Sequence, residues 1–156
     1  MTKRIGMASD HGGRVLKRQI RSYLESVGWE VSDFGVADEA SESVDYPDFA
    51  ALVAQEVSAG RLTQAILICG TGIGMSIAAN KFPNVRATLV WSEETAKLSR
   101  EHNNSNILCL GERVVTPEVA LACTKIRLGT SFAGDRHERR VYKIRQLEKA
   151  LGTSGS

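Results

Sequence analysis

Cysteine is sparse in this chain: three in 156 residues, with no Cys-x-x-Cys spacing, so neither a disulfide framework nor a redox dithiol is expected. The odd count, and the lack of a signal-like N-terminus before the first strand pattern, argue against secretion and give the expectation of a cytoplasmic protein. No apolar run approaches the ~20 residues of a membrane span, so no membrane partner is expected. Histidine is equally scarce. The three are not spaced as metal ligands, and His137-Glu138 lacks a second histidine one turn on, so no metal is expected. The Gly-Lys-Ser/Thr of a Walker A loop is missing. A G-x-G-x-x-G beginning at Gly70 would need glycine where Met75 stands, and it should follow the first strand.

Net charge is also small, +2 from 20 Lys+Arg against 18 Asp+Glu, but it is unevenly placed. Residues 134–150 hold Arg136, Arg139, Arg140, Lys143, Arg145 and Lys149 against Asp135, Glu138 and Glu148, a local excess of +3. A basic element this small suits a compact anionic ligand, and no nucleic acid is expected because that would want a broader patch. The 42% hydrophobic content excludes disorder, apart from an expected flexible tail at 152–156. The length suits one domain, 1–151, able to bury roughly 70% of its unfolded surface.

What is present is an alternation of strand and helix patterns. Strands are predicted at Lys3–Ala8, Trp29–Phe34, Gln64–Cys69, Val85–Trp91 and Asn106–Leu110. Between them lie helical faces: Leu16, Ile20, Tyr23, Leu24 and Val27, then Phe49, Leu52, Val53 and Val57 behind Pro47. Ser92 caps a helix running to about His102, Thr116-Pro117 opens another, and Gly129 closes it. No repeat or linker interrupts the pattern. Parallel strands need crossovers, so the expected fold is α/β: a three-layer α/β/α Rossmann-like fold with a five-stranded parallel sheet. An extra C-terminal helix over 136–151 carries Val141, Ile144, Leu147 and Leu151 at helical spacing, a stripe that must bury on its own domain or on a second subunit.

Ligands of open α/β sheets bind beyond the carboxyl ends of the strands. There the sequence puts Asp10 and His11 after the first strand, Cys69 at the end of the third and Arg113 beyond the fifth. Cys69-Gly70-Thr71-Gly72-Ile73-Gly74 is the most informative stretch. Its alternating glycines let backbone N–H groups converge at a helix N-terminus, which favours an anion and a nearby thiolate. The alternative for Cys69 is a buried hydrophobe finishing a core strand, the reading preferred for Cys109 and Cys123. Taken alone, Asp10 reads as an N-cap and His102-Asn103 as a helix end. Arg136 and Arg140, one turn apart, read either as a solvated face or as a two-guanidinium phosphate clamp.

Together these residues resemble the ribose-5-phosphate isomerase B family, which includes galactose-6-phosphate isomerase subunits and allose-6-phosphate-acting members. The resemblance runs from about Lys3 to Leu147. It rests on Ser9-Asp10-His11-Gly12, Asp45-Tyr46-Pro47, Ile68-Cys69-Gly70-Thr71-Gly72-Ile73-Gly74 with Ala78-Ala79-Asn80-Lys81, Arg100-Glu101-His102-Asn103, Gly111-Glu112-Arg113-Val114-Val115, and Arg136-His137 with Arg140-Val141.

The resemblance implies an aldose–ketose isomerase needing no metal or organic cofactor. In it His102 with Asp10 would open the furanose ring, and Cys69 would move a proton between C2 and C1 through a cis-enediolate, with Thr71 near O1 and O2. The amides of Gly70, Gly72, Ile73 and Gly74 would hold the oxyanion. His11, Arg113, Arg136 and Arg140 would bind phosphate, and Tyr46 and Asn103 the sugar. The resemblance also implies a homodimer with shared sites, with a dimer of dimers left open, in which His102 and Asn103 face a partner's Cys69. Met75 stands where some members carry a glutamate base, so the cysteine subtype is expected. The expected substrate pair is ribose 5-phosphate and ribulose 5-phosphate. The alternatives are a six-carbon sugar phosphate (allose or galactose 6-phosphate) and a non-catalytic sugar-phosphate binding module.

Overall fold

The computed structural model describes residues 2–154. Five strands, β1 (Lys3–Ser9), β2 (Trp29–Asp33), β3 (Ala65–Cys69), β4 (Ala87–Leu89) and β5 (Ile107–Gly111), form one parallel sheet in the order β2-β1-β3-β5-β4. The helices are α1 (Arg14–Ser26), α2 (Tyr46–Ser58), α3 (Ile73–Ala79), α4 (Glu93–Glu101), α5 (Pro117–Gly129) and α6 (Arg136–Ser154), with a 3-10 turn at His11–Gly13. This is the α/β Rossmann-like architecture expected.

The period-two alternation of the central strands sorts their side chains between two cores. Ala65, Leu67 and Cys69 of β3 join Ala50, Val53, Ala54 and Val57 of α2 and Met75 and Ala79 of α3. Ile66 and Ile68 join Leu16, Ile20 and Leu24 of α1, Ala96 of α4, and Ala120 and Cys123 of α5. All five residues of β3 and of β5 are buried. The inward stripe of α2 starts at Ala50 and recurs at i+3, i+4 and i+7, which leaves Leu52 45% exposed rather than buried. Val27 likewise lies outside the α1 stripe and is exposed.

Strand β4 is shorter than the seven residues the pattern suggests, because side chains take over its neighbours' backbone groups. Asn106 Oδ1 accepts from Arg86 N (2.8 Å), and Thr95 Oγ1 accepts from Trp91 N (3.2 Å) as α4 begins. On the outer edge, Asn80 acts as a one-residue surrogate strand. Its Nδ2 donates to Ala87 O (2.9 Å) and its Oδ1 accepts from Ala87 N (2.8 Å).

The C-terminal helix behaves differently from the rest. Its first turns are anchored through buried His137 and Val141, while Ile144, Leu147 and Leu151 are exposed. They wall a cavity of about 690 Å³ against Pro83, Val85 and Ala87. The helix runs on through Gly152 to Ser154, past the expected start of a flexible tail at 152; the rest of that stretch, 155–156, lies outside the described residues. No described helix is long and apolar enough to cross a membrane.

Candidate active site

The chain order reverses between β1 and β3: β2 lies on one side of β1, and β3 and everything after it on the other. Register brings the ends level, with Ser9 opposite Ile68 and Cys69 opposite Gly111. The loops that follow must therefore converge at this switch point, the place where open α/β sheets bind ligands. A cavity of about 390 Å³ opens there. It is lined by Asp10, His11 and Gly12 from the β1 loop, Cys69–Thr71, Ile73, Gly74 and Ile77 from the β3 loop and α3, and Tyr46 and Arg113.

Each of these groups is fixed by its own backbone contacts. Asp10 is 8% exposed and caps the 3-10 turn through Oδ1, which accepts from Gly12 N (2.9 Å), leaving Oδ2 for another partner. Nδ1 of His11 accepts from Val44 N (3.2 Å), so the neutral ring carries its proton on Nε2 as a donor. Gly72 lies in the left-handed region (φ +77°) and turns its N–H onto Cys69 Sγ at 3.1 Å. Thr71 Oγ1 accepts from Ile73 N (3.3 Å), which leaves its own proton to donate. The loop after β5 is laced to the β3 loop, with Glu112 N donating to Cys69 O and Arg113 N to Gly70 O, both at 3.0 Å. A methyl placed on Gly70 would stand 3.5 Å from the Arg113 guanidinium carbon, so that cation overhangs the glycine turn.

The three thiols separate by position. Burial pushes the Cys109 thiol far above its ordinary value and raises that of Cys123 as well. Only Cys69 lines the cavity.

His102, Asn103, Arg136 and Arg140 are gathered elsewhere. Helix α4 leaves the carboxyl end of β4 and runs back, so His102 at its C-terminus lies at the amino edge of the sheet. Five-residue β3 separates the two edges by about 17 Å. At the amino edge His102 stacks on His137, with ring centroids 4.1 Å apart and planes 13° from parallel. Arg136 and Arg140 flank His137 on the first turns of α6, and all three guanidinium and imidazole neighbours push His137 below its ordinary value, after burial as the leading cause. The sequence pattern assigned a role to neither His137, although it stands in the Arg136-His137 motif, nor Ile77. Ile77 stands one turn after Ile73 on the same helix, a signal that could have found it.

No group of three or more His, Cys, Asp or Glu among the described residues could hold a metal ion. The cavity instead offers a thiol, a carboxylate, an imidazole N–H, a hydroxyl, a glycine turn and a guanidinium around a space that would admit a small phosphorylated sugar.

The profile of the ribose/galactose isomerase family matches residues 5–144. The chain belongs to that family. Among its relatives, ribose-5-phosphate isomerase B of Escherichia coli (strain K12) is 44% identical over 147 residues, covering 94% of this chain and 97% of that protein. The solved ribose-5-phosphate isomerase B of Clostridium thermocellum superposes with a TM-score of 0.92 at 50% identity, covering 95% of this chain and 99% of that one. The Mycoplasma genitalium ribose-5-phosphate isomerase B, solved with bound ribulose-5-phosphate, gives 0.89 at 44% identity and covers 96% of this chain and 98% of that one. The chain is a sugar-phosphate isomerase. In this isomerase the switch-point cavity is the place where every chemically capable strand end meets.

Proposed function

We propose that this isomerase interconverts ribose 5-phosphate and ribulose 5-phosphate, with Cys69 as the base. The observation that carries the reading is the convergence of Cys69, the glycine turn, Asp10, His11 and Arg113 on one cavity. Once the ring is open, the Cys69 thiolate takes the C2 proton. The electron pair moves into a C1–C2 double bond and charge develops on O1, giving a cis-enediolate. The thiol then returns the proton to C1 while the O2 proton passes to O1, leaving a hydroxyl at C1 and the ketone at C2. Backbone N–H groups of the glycine turn that are not already engaged, with the Thr71 hydroxyl, receive the developing negative charge, while Gly72 N–H faces Cys69 Sγ and Ile73 N–H faces Thr71 Oγ1. Losing one oxyanion donor typically costs about 10²–10³ in rate. His11 and Arg113 hold the phosphate, whose binding energy orients the reacting carbons.

Ring opening is assigned to Asp10 with His102, and the remaining phosphate and sugar contacts to Arg136, Arg140 and Asn103. Because these sit at the amino edge, they reach the cavity from a second copy, in a homodimer with shared sites. The exposed apolar residues of α6 support that arrangement.

The test is a rate comparison. Wild-type protein treated with chelator should convert ribose 5-phosphate to ketopentose phosphate faster than it converts allose or galactose 6-phosphate. Cys69→Ala should lose about 10²–10⁴-fold in kcat while keeping its fold. Undiminished turnover in that variant would remove Cys69 as the base, and faster six-carbon turnover would reassign the substrate.

A further inference from the structure

The amino edge of the sheet holds a second concentration of positive charge. A cavity of about 430 Å³ there is lined by Arg86, Arg100 and Arg145 together with Thr63, Asn104 and Asn106, and no carboxylate lines it. The three arginines come from the residue before β4, the last turn of α4 and the middle of α6. Backbone contacts orient two of them: Arg86 Nε donates to Asn104 O (3.0 Å), Arg100 Nε to Thr130 O (3.2 Å), and Arg100 Nη1 to Ser105 O (2.6 Å) and Asn104 Oδ1 (3.0 Å). All of those acceptors are neutral. Among the described residues, none of the three arginines joins a salt bridge.

The like charges act on one another. Burial lowers both Arg86 and Arg100, and Arg145 and Arg100 lower Arg86 further. Glu148, three residues past Arg145 on α6, is the one acid acting on Arg86 in the opposite sense, and its Oε1 accepts from Asn84 N (2.8 Å). Arg127 adds a fourth cation near Arg100. It is 2% exposed, its Nε and Nη2 have no hydrogen-bond partner, and burial followed by repulsion from Arg100 pushes it down to about 9.

Partly desolvated guanidiniums without a counter-ion are unfavourable, and their planar forks match phosphate oxygens. We propose that this pocket is a second anion site, separate from the isomerase cavity, that takes a compact phosphate-bearing small molecule. The two cavities lie at opposite edges of the sheet and share no lining residue, so the site stands whether or not the substrate assignment does. An occupied site would draw Arg145 toward Arg86 and so tie α6 to the sheet edge, beside the turns that carry Arg136, His137 and Arg140.

Calorimetric titration with inorganic phosphate tests this in the full chain carrying Arg113→Gln and Arg140→Gln, which weaken phosphate binding at the isomerase site. One saturable site per chain is expected to remain. Adding Arg145→Glu should weaken it at least about tenfold, and Arg145→Lys, which keeps the charge but loses the fork, by a smaller factor. Arg139→Glu, a charge reversal on α6 outside the pocket, should leave the affinity unchanged. Because Arg145 is exposed, its replacement should not shift the thermal midpoint without phosphate, which checks the fold. Absence of a saturable site, binding unaffected by Arg145→Glu, or equal loss in Arg139→Glu would overturn the proposal.

Discussion

Lys17 is wholly buried on the face of α1 that packs against the sheet, and its ammonium reaches Asp33 Oδ1 at 2.7 Å and the Val36 carbonyl at 2.6 Å. The same carboxylate pairs with Arg21. Removing Asp33 would leave a buried cation with only one acceptor. Breaking a fully buried pair costs about 3–5 kcal/mol. The Asp33 side chain is 22% exposed, and solvent screening reduces the expected loss in Asp33→Ala to about 2 kcal/mol, measurable as a lowered urea midpoint. His137 makes a different prediction. Its proton affinity is lowered in the folded chain by burial, His102, Arg136 and Arg140, and only Asp135 opposes them. The unfolded chain therefore binds more protons just below the ordinary value of 6.5, and stability falls as pH drops through that window until the folded value is passed. Unfolding midpoints taken at pH 7 and pH 5 should differ less in His137→Gln than in wild type. Neither residue announces itself in the sequence. A lysine on an apolar helical stripe reads as solvated, and a histidine's stacking partner 35 positions away leaves no local trace.

At the scale of the element, Gly72 joins β3 to α3 at φ +77° and lets its N–H point at Cys69. A Cβ there would stand 2.7 Å from Leu89 Cδ1 and 2.9 Å from the Leu110 carbonyl carbon, backbone that cannot swing aside. Gly72→Ala should cost about 1–3 kcal/mol in stability. It should also lower kcat more than it raises KM, because the amide leaves the sulfur; steady-state rates beside a thermal melt separate the two effects. The alternation of strands and helices was legible because buried strands and one-sided helices have different periods. So was the meeting of Asp10, His11, Cys69 and Arg113 at one cavity, since the end of a parallel strand is where a loop can hold chemistry. Strand order was not legible, because it depends on which neighbours pair across the sheet. The short span of β4 was hidden for a related reason at one end, where Asn106 takes Arg86 N through a tertiary contact, while at the other Thr95 takes Trp91 N locally as α4 begins. Helix α6 was foreseen with its stripe, but no pattern within one chain tells what covers Ile144, Leu147 and Leu151.

For the whole molecule, the placement of His102 and Cys69 at opposite edges makes the proposed shared site testable by mixing. Cys69→Ala and His102→Ala homodimers should each be inactive. Co-refolded in equal amounts, they should recover about a quarter of wild-type activity, since half the dimers are hybrids with one intact site of two. A mixture as inactive as its components would count against sites built from two chains. Asn80 bears on another collective property. A sheet's outermost strand is a template for any extended chain that meets it, and on β4 the amide of Asn80 already occupies both outward groups of Ala87. Solubility thus hangs in part on a side chain far from the chemistry. If that amide were lost, the damage would surface as edge-to-edge aggregation in crowded or partly refolded protein, while the molecules that did fold turned over substrate as before.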